Sequence, residues 1–151
     1  MLALLPLTVL TALAATTAFR RVPEGQVFSV YRAGKPHRLL KPGLHALVPG
    51  LDRVVHRIDL NGRVLPFAAP LPEARDVHGR VYWQVLEPER ADPVLDEVEP
   101  WIRRGLLEAL EAEPASVGAD PRALGSRLKQ RLNAALRERG MMVTRVELDF
   151  A

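Results

Sequence analysis

The pattern of apolar and polar residues changes three times along this 151-residue chain. Residues 1–19 contain no charged side chain, and residues 22–67 then alternate between apolar and polar positions in short runs. From about residue 92 the apolar positions recur at helical spacing, and residues 142–150 alternate again. This order predicts an N-terminal helix, a group of strands, a group of helices and a closing strand. It is typical of an α+β fold with helices on one face of a mostly antiparallel sheet.

Turn residues divide the first alternating part into short strands. Val22-Pro23-Glu24-Gly25 predicts a type I turn, with proline second and glycine fourth. Pro-Gly pairs at the centres of Lys41–Leu44 and Val48–Leu51 predict two type II turns. Asn61-Gly62 is a preferred dipeptide of two-residue hairpins, so we expect it to return one strand onto the next. The strands predicted around these turns are Gln26–Arg32, Arg53–Leu60 and Arg63–Phe67.

A linker and two further strands complete the predicted sheet. Residues 68–72 are rich in proline and alanine and predict a linker, and Val77–Leu86 predicts a strand with a tight turn at His78-Gly79. The closing strand Met142–Phe150 is predicted to turn its odd and even positions to opposite faces. The residues expected to face inward are Met142, Thr144, Val146, Leu148 and Phe150.

Three helix starts are predicted between these last two strands. Asp92-Pro93 and Asp120-Pro121 each place an N-cap residue before a proline at the first helical position. Pro100 is expected to restart a helix between them, and Gly140 is a natural stop after the last one. The helix after Pro121 carries one apolar stripe, which consists of Leu124, Leu128, Leu132 and Leu136.

The N-terminal run predicts a single membrane-spanning anchor over residues 1–19, followed by one soluble domain over residues 20–151. As a helix it would rise about 28 Å, close to the thickness of a bilayer core. Phe19, Arg20 and Arg21 are then expected at the membrane interface, and the positive-inside rule places the domain in the cytoplasm, with the periplasmic side as the alternative. A cleaved signal peptide remains open because Ala12 and Ala14 form an Ala-x-Ala pattern, although no basic residue precedes the run. A re-entrant hairpin bent at Pro6 also remains open.

Composition and motifs exclude several classes of function. The chain has a formal net charge of +3 and no cysteine, so disulfides and thiolate chemistry are absent. Its basic residues form no cluster with aromatic ones, so we expect no nucleic-acid partner. The four histidines share no metal-ligand spacing, and no G-x-S-x-G, phosphate-loop or dinucleotide motif occurs. We therefore expect no enzyme activity, no cofactor and no metal.

Seven segments, in order, resemble the stomatin/prohibitin (SPFH, Band 7) family between about residues 20 and 149. Each segment alone is ordinary turn and strand chemistry, whereas their joint order is specific. The segments are Val22–Gln26, Tyr31–Lys35, Leu40–His45, Val48–Val54, Arg57–Leu60, Val81–Ala91 and Gly140–Leu148. Residues 68–80 are shorter than the hairpin usual in the family, and the chain ends at Ala151 without the charged helical region that usually drives ring assembly.

The resemblance implies a non-catalytic membrane scaffold or adaptor that organises lipids or membrane proteins, or modulates a membrane protease or transporter. It implies self-association or hetero-oligomers, and the missing helical region favours an adaptor over an autonomous ring. Trp83 and Trp101 are candidate partner contacts, because tryptophan is enriched at interfaces, although a core position is the default for both. The alternative function is a cleaved, secreted or periplasmic protein-binding module.

Overall fold

The computed structural model describes residues 4–70, 76–113 and 120–150, and the chain divides into two compact units. We call Met1–Ile58 the N-terminal unit and Asp59–Ala151 the C-terminal unit. Helices and antiparallel strands both occur, as expected for an α+β chain.

The N-terminal unit consists of one helix, a two-stranded ribbon and a three-stranded sheet. Strands β1 and β4 form the ribbon and are antiparallel, whereas β2 lies between β3 and β5 in the sheet. Val22, Phe28, Val30, Leu40 and Leu47 form its buried cluster. The bounds are α1 (Leu4–Ala18), β1 (Phe19–Val22), β2 (Gln26–Arg32), β3 (Lys35–Leu40), β4 (Gly43–Ala46) and β5 (Asp52–Asp59).

The predicted turns of this unit differ in how closely the structure follows them. The type II turn at Val48–Leu51 is confirmed, because Leu51 N donates to Val48 O at 3.2 Å and Gly50 has a φ of +82°. The turn at Val22–Gly25 closes one residue later than predicted, with Gln26 N donating to Pro23 O. At Lys41–Leu44 the predicted type II turn is replaced by a bend, since Gly43 has a φ of +133° and is the first residue of β4.

Helix α1 has 15 residues, and Pro6 lies in its first turn, where a missing N–H breaks no helical hydrogen bond. The bend considered at Pro6 is therefore not seen. Residues 1–3 of the predicted anchor lie outside the described residues, and β1 already begins at Phe19. Within the three described ranges, no helix has both the length and the apolar character that a membrane span requires.

The C-terminal unit is a three-stranded antiparallel sheet with helices between its second and third strands. The strand order is β6-β7-β8, and α4 packs along β8. The bounds are β6 (Arg63–Ala69), β7 (Val77–Val85), α2 (Pro88–Ala91), a 3₁₀ turn (Asp92–Glu97), α3 (Val98–Glu111), α4 (Pro121–Leu136), a second 3₁₀ turn (Arg137–Arg139) and β8 (Met141–Phe150).

Local signals located α4 correctly. Asp120 is its N-cap, since Arg122 N donates to Asp120 Oδ1 at 2.9 Å, and Pro121 is the first helical residue. The helical segment ends at Gly140, which has a φ of +73° and suits a left-handed cap. The predicted apolar stripe is buried, as shown by Leu124, Leu128, Leu132 and Leu136.

The prediction of which residues of the closing strand point inward is wrong for the first half of the strand. A β-bulge shifts the register so that Trp83 pairs with Val143 and Tyr82 with Arg145, which leaves Thr144 as the extra residue. Because the bulge changes the phase of the alternation, Val143 is fully buried although its predicted position was outward. Beyond the bulge the prediction holds, and Val146 and Leu148 are buried.

Two further predictions about strand connections are wrong. Asn61-Gly62 does not return β5 onto β6 as a hairpin, because β5 pairs in the sheet of β2 and β6 pairs with β7. Asn61 N instead donates to Asp59 Oδ1 at 2.9 Å in a local side-chain turn. Strand β7 runs straight through His78-Gly79, where no turn occurs.

Two predicted boundaries also move. Residues 68 and 69 of the predicted linker belong to β6, and the last two residues of that linker lie outside the described ranges. Asp92 is not an N-cap, because the helical segment already begins at Pro88 and Asp92 is buried inside it. Helix α3 begins at Val98, so Pro100 lies in its first turn rather than before it.

Candidate functional site

Helix α1 has no charged residue on any side, and its residues 6–15 are exposed rather than packed against the rest of the chain. Residues 6–15 are all exposed, and consecutive residues of a helix point in different directions. Its largest side chains are more than half exposed, for example Leu10 at 68% and Leu13 at 63%. A helix that is hydrophobic on every side is normally covered, by a protein core or by lipid.

The β1–β4 ribbon begins where α1 ends. Leu47 N donates to Ala18 O at 2.6 Å, which ties the ribbon to the last residue of the helix. Phe19 pairs with Ala46 and Arg21 with Leu44, so these four residues share one face of the ribbon, and all four are exposed. We call them the ribbon face. It combines an aromatic residue, an arginine and a leucine that is 69% exposed.

Asp52 holds the turn that follows the ribbon. Its carboxylate accepts hydrogen bonds from Val48 N at 2.9 Å and from Arg32 Nε at 2.8 Å. The hydrogen bonds from Arg32 and Val48 lower the pKa of Asp52 to about 2. Asp52 therefore caps this turn and forms its ion pair with Arg32, twenty residues earlier in the chain. The turn presents Leu51 outward, at 57% exposure.

Three arginines line a small cavity in the same unit. Arg20, Arg53 and Arg57 lie around a space of about 270 Å³ whose other walls include Leu47 and Asp52. Arg20 is on the opposite side of β1 from the ribbon face, since alternate residues of a strand point to opposite faces. The guanidinium of Arg57 lies 5.4 Å from the ring centroid of Phe28, a buried residue of the unit's apolar cluster. We call Arg20, Arg53 and Arg57 the arginine pocket.

The two tryptophans lie in different surroundings in the C-terminal unit. Trp83 is in the core at 1% exposure, and its Nε1 has no hydrogen-bond partner among the described residues. Trp101 is half-buried, and the guanidinium of Arg139 lies 3.7 Å from its ring centroid. Trp101 also lines a groove of about 400 Å³ between α3 and α4, together with Arg104 and Arg131.

Two of the four histidines make contacts that fit structural roles. His45 Nε2 lies 2.6 Å from Lys41 O, which fits a turn-packing role, and the ring of His56 meets Tyr31 edge-on at 6.1 Å. Across residues 4–70, 76–113 and 120–150 no group of three or more histidine, aspartate or glutamate side chains could hold a metal ion.

A sequence profile of the SPFH domain / Band 7 family matches residues 20–149. This chain belongs to that family. The match begins at Arg20, the second residue after α1, and ends one residue before the last residue of β8. It therefore covers the ribbon except Phe19, both sheets except Phe150, and helices α2, α3 and α4.

Among curated proteins, this SPFH chain is similar to stomatin-like protein 2, mitochondrial, from rat, mouse and human. Each is 25% identical over 104 residues, which is 66% of this chain. The alignment spans 30% of the rat and mouse proteins and 29% of the human one, so the chain spans about three tenths of the length of these relatives.

Sequence reasoning found only part of the exposed N-terminal surface. Phe19, Arg20 and Arg21 were predicted to lie at a membrane interface, and that role stays a prediction. The structure shows all three exposed on β1, with Arg20 on the side opposite the other two. The contributions of Leu44 and Leu51 were missed, because both were assigned simply as turn residues. An apolar residue directly after a Pro-Gly pair, twice within eight positions, is the signal that would have identified them.

Proposed function

We propose that this SPFH chain is a membrane-anchored, non-catalytic scaffold or adaptor, with α1 inserted in the bilayer as a single-pass anchor ahead of one domain over residues 20–151. The observation that carries the proposal is the exposure of residues 6–15 of α1 on every side of the helix, although most of them are apolar. Lipid is a cover that suits a helix with no polar face, because it is apolar on every side.

The length of α1 and the residues after it fit an interface at its C-terminal end. Fifteen residues rise about 22 Å, which is shorter than a bilayer core of about 30 Å, although the apolar run in the sequence covers residues 1–19. A short apolar segment is accommodated by local thinning and by flanking residues that reach the interface. Phe19, Arg20 and Arg21 are such flanking residues, since aromatic and basic side chains favour the headgroup region.

The ribbon face adds a second contact with the same surface. Leu44 is exposed beside Arg21, and the hydrogen bond from Leu47 N to Ala18 O holds this strand at the end of α1. An exposed leucine next to an arginine suits the boundary between headgroups and acyl chains. The positive charge that follows α1 favours the cytoplasmic side for the domain, and the periplasmic side is the alternative topology.

As an adaptor, the chain would contact membrane proteins, such as protease or transporter subunits, or further SPFH chains. In the C-terminal unit, Trp101 is the better candidate for such a contact, because it is half-buried at a groove, whereas Trp83 lies in the core. The name of the similar proteins, stomatin-like protein 2, mitochondrial, agrees with an SPFH assignment but names no partner.

Flotation of the C-terminally tagged full-length chain with membranes tests the anchor. We expect the wild-type protein to float with membranes and to resist extraction at high salt and high pH. An Asp at the centre of an inserted helix costs about 3 kcal/mol, so Leu10→Asp should weaken membrane association roughly a hundredfold, whereas Leu10→Ala should float like the wild type. A wild-type protein found only in the soluble fraction, with its N-terminal residues missing by mass, would replace the anchor by the cleaved binding module.

The size of the particle extracted in mild detergent separates a scaffold from an adaptor. A particle of many subunits would support a scaffold that assembles by itself. A monomer or dimer would support an adaptor that requires a partner.

A further inference from the structure

We propose that the arginine pocket binds the phosphate of an anionic lipid headgroup. This inference rests on the proposed membrane-anchored function, and it adds a ligand class and a specific site to it. The ligand is a phosphodiester without a cationic group of its own, as in phosphatidylglycerol.

The pocket presents positive charge that has no ion-pair partner in the part of the chain that the structure describes. Among the residues that the structure describes, Arg20, Arg53 and Arg57 form no ion pair with a carboxylate. Asp52 is the acidic residue that lines the cavity, but its carboxylate already binds Arg32 and Val48 N. Its charge is therefore compensated, and the three guanidiniums remain available for an outside anion.

The pocket lies close in sequence and in structure to the end of the proposed anchor. Arg20 is the second residue after α1, and it pairs with His45 across the ribbon. If α1 ends at the hydrocarbon boundary, Arg20 lies at the depth of lipid phosphates. A headgroup could therefore reach the pocket while its acyl chains stay in the bilayer beside α1.

Charge is distributed unevenly between the two units of the chain. The N-terminal unit contains eight lysine and arginine residues and two acidic ones, whereas the C-terminal unit contains thirteen basic and sixteen acidic ones. The N-terminal unit is therefore strongly basic, whereas the C-terminal unit has a net negative charge. A basic segment next to a membrane anchor attracts anionic lipid.

Size and geometry favour a phosphate over a larger anion. A cavity of about 270 Å³ is near the lower limit of small-molecule sites, which suits a headgroup better than an extended polymer. Guanidinium groups bind phosphate oxygens in pairs of parallel hydrogen bonds. Contact with the buried ring of Phe28 restricts Arg57 before any ligand binds.

Native mass spectrometry of the full-length chain in mild detergent tests the site. Short-chain phosphatidylglycerol, short-chain phosphatidylcholine and inorganic phosphate are titrated separately, and the lipid-bound fraction gives an apparent Kd. We expect the wild type to bind phosphatidylglycerol at least about tenfold more tightly than phosphatidylcholine. The double variant Arg53→Gln/Arg57→Gln should lose about 25-fold in affinity for phosphatidylglycerol, because each basic side chain near an anionic lipid contributes roughly fivefold.

The matched control is Lys35→Gln/Lys41→Gln, which removes the same charge from exposed positions of the same unit. We expect it to change the affinity by no more than about threefold, since neither lysine lines the cavity and solvent and salt screen exposed charges. Circular dichroism checks that each variant is folded, and the single variant Arg53→Gln, expected to lose about fivefold, replaces the double one if that fails to fold.

Three results would overturn the inference. Equal binding of the two lipids, or equal losses in the pocket and control variants, would show that there is no headgroup site. Inorganic phosphate that binds as tightly as phosphatidylglycerol would assign the pocket to free phosphate. The flotation experiment tests the anchor separately. If the protein floats but shows no lipid preference, the proposed function stands and the headgroup site is refuted. If it does not float but binds phosphatidylglycerol, only the anchor is refuted.

Discussion

Asn133 is the polar residue whose removal should most directly disturb the C-terminal unit. It lies in α4 at 6% exposure, and its side-chain amide forms two hydrogen bonds with the backbone of Val143 in β8. Nδ2 donates to Val143 O at 3.0 Å, and Val143 N donates to Oδ1 at 2.7 Å. The amide therefore satisfies the backbone groups of Val143 in a buried place, next to the β-bulge at Thr144.

Replacing Asn133 with leucine should lower the free energy of unfolding by about 3 kcal/mol. Leucine has a similar volume, so it creates little cavity, but it leaves a buried N–H and a buried C=O unpaired. Each unpaired group costs about 1–3 kcal/mol, and the buried methyl groups of leucine recover part of the loss. For a chain of this size the midpoint of thermal unfolding should fall by about 6–12 °C.

Guanidinium denaturation in mild detergent, followed by tryptophan fluorescence, is a suitable assay because both tryptophans lie in the C-terminal unit. Gln130→Leu is the matched control, since it makes the same amide-to-leucine change at an exposed position of the same helix. We expect the control to stay within about 0.5 kcal/mol of the wild type. An Asn133→Leu variant as stable as the control would refute the argument that these two hydrogen bonds maintain the packing of α4 on β8.

Two further changes test other parts of the fold. Gly79→Ala should destabilise the C-terminal unit by about 3 kcal/mol in the same assay, because the new Cβ would lie 2.3 Å from Glu147 O and 2.7 Å from the Phe67 ring. The control is His78→Ala at the neighbouring exposed position, which should have little effect on stability. Equal effects of the two changes would disprove the close approach at Gly79. Asp52→Asn should be less stable than the wild type at pH 7, because it loses the ion pair with Arg32. Since folding lowers the pKa of Asp52 from 3.8 to about 2, its contribution is present above pH 4 and is lost as the pH falls towards 2. Unfolding curves of the two proteins should therefore converge between these values, and a constant difference at every pH would contradict the assignment.

Elements that depend on local signals could be predicted from the sequence. The cap at Asp120, the leucine stripe of α4 and the stop at Gly140 each follow from residues within one or two helical turns of each other. Strand β2 and the turn at Val48–Leu51 also follow from local alternation and turn chemistry. These features were all predicted at or close to their observed positions.

Features that depend on distant partners could not be predicted in this way. Asn61-Gly62 has the chemistry of a hairpin, but β5 joins the sheet of β2, and only that pairing decides against the hairpin. The bulge at Thr144 exists in relation to Tyr82 on a strand some sixty residues earlier, and Thr144 Oγ1 donates to Tyr82 O at 3.1 Å. Gly79 looked like a turn residue, whereas its lack of a side chain is required by the close approach of β8 and Phe67.

The residues of the candidate site also differ in whether the sequence alone could identify them. Phe19, Arg20 and Arg21 could be singled out from the sequence because they lie at the end of the apolar run. Arg53 and Arg57 could be placed on one face of a strand by their spacing, but their proximity to Arg20 depends on how β1 and β5 come together in the folded unit. The pocket therefore follows from the structure rather than from any motif.

Some polar side chains of this chain hold its backbone in place, whereas others line a cavity. Asp52, Asp59, Asp120 and Asn133 all direct side-chain oxygen atoms at backbone N–H groups, so they hold turns, caps and strands. Among the described residues, the side chains of Arg20, Arg53 and Arg57 make no comparable contact with the backbone, and these three residues line a cavity instead. Folding does not require three uncompensated arginines around one cavity, because like charges at close range are unfavourable unless an anion joins them. The N-terminal unit carries both these arginines and the exposed helix α1. An anionic membrane surface next to this unit would compensate the positive charge of the arginine pocket.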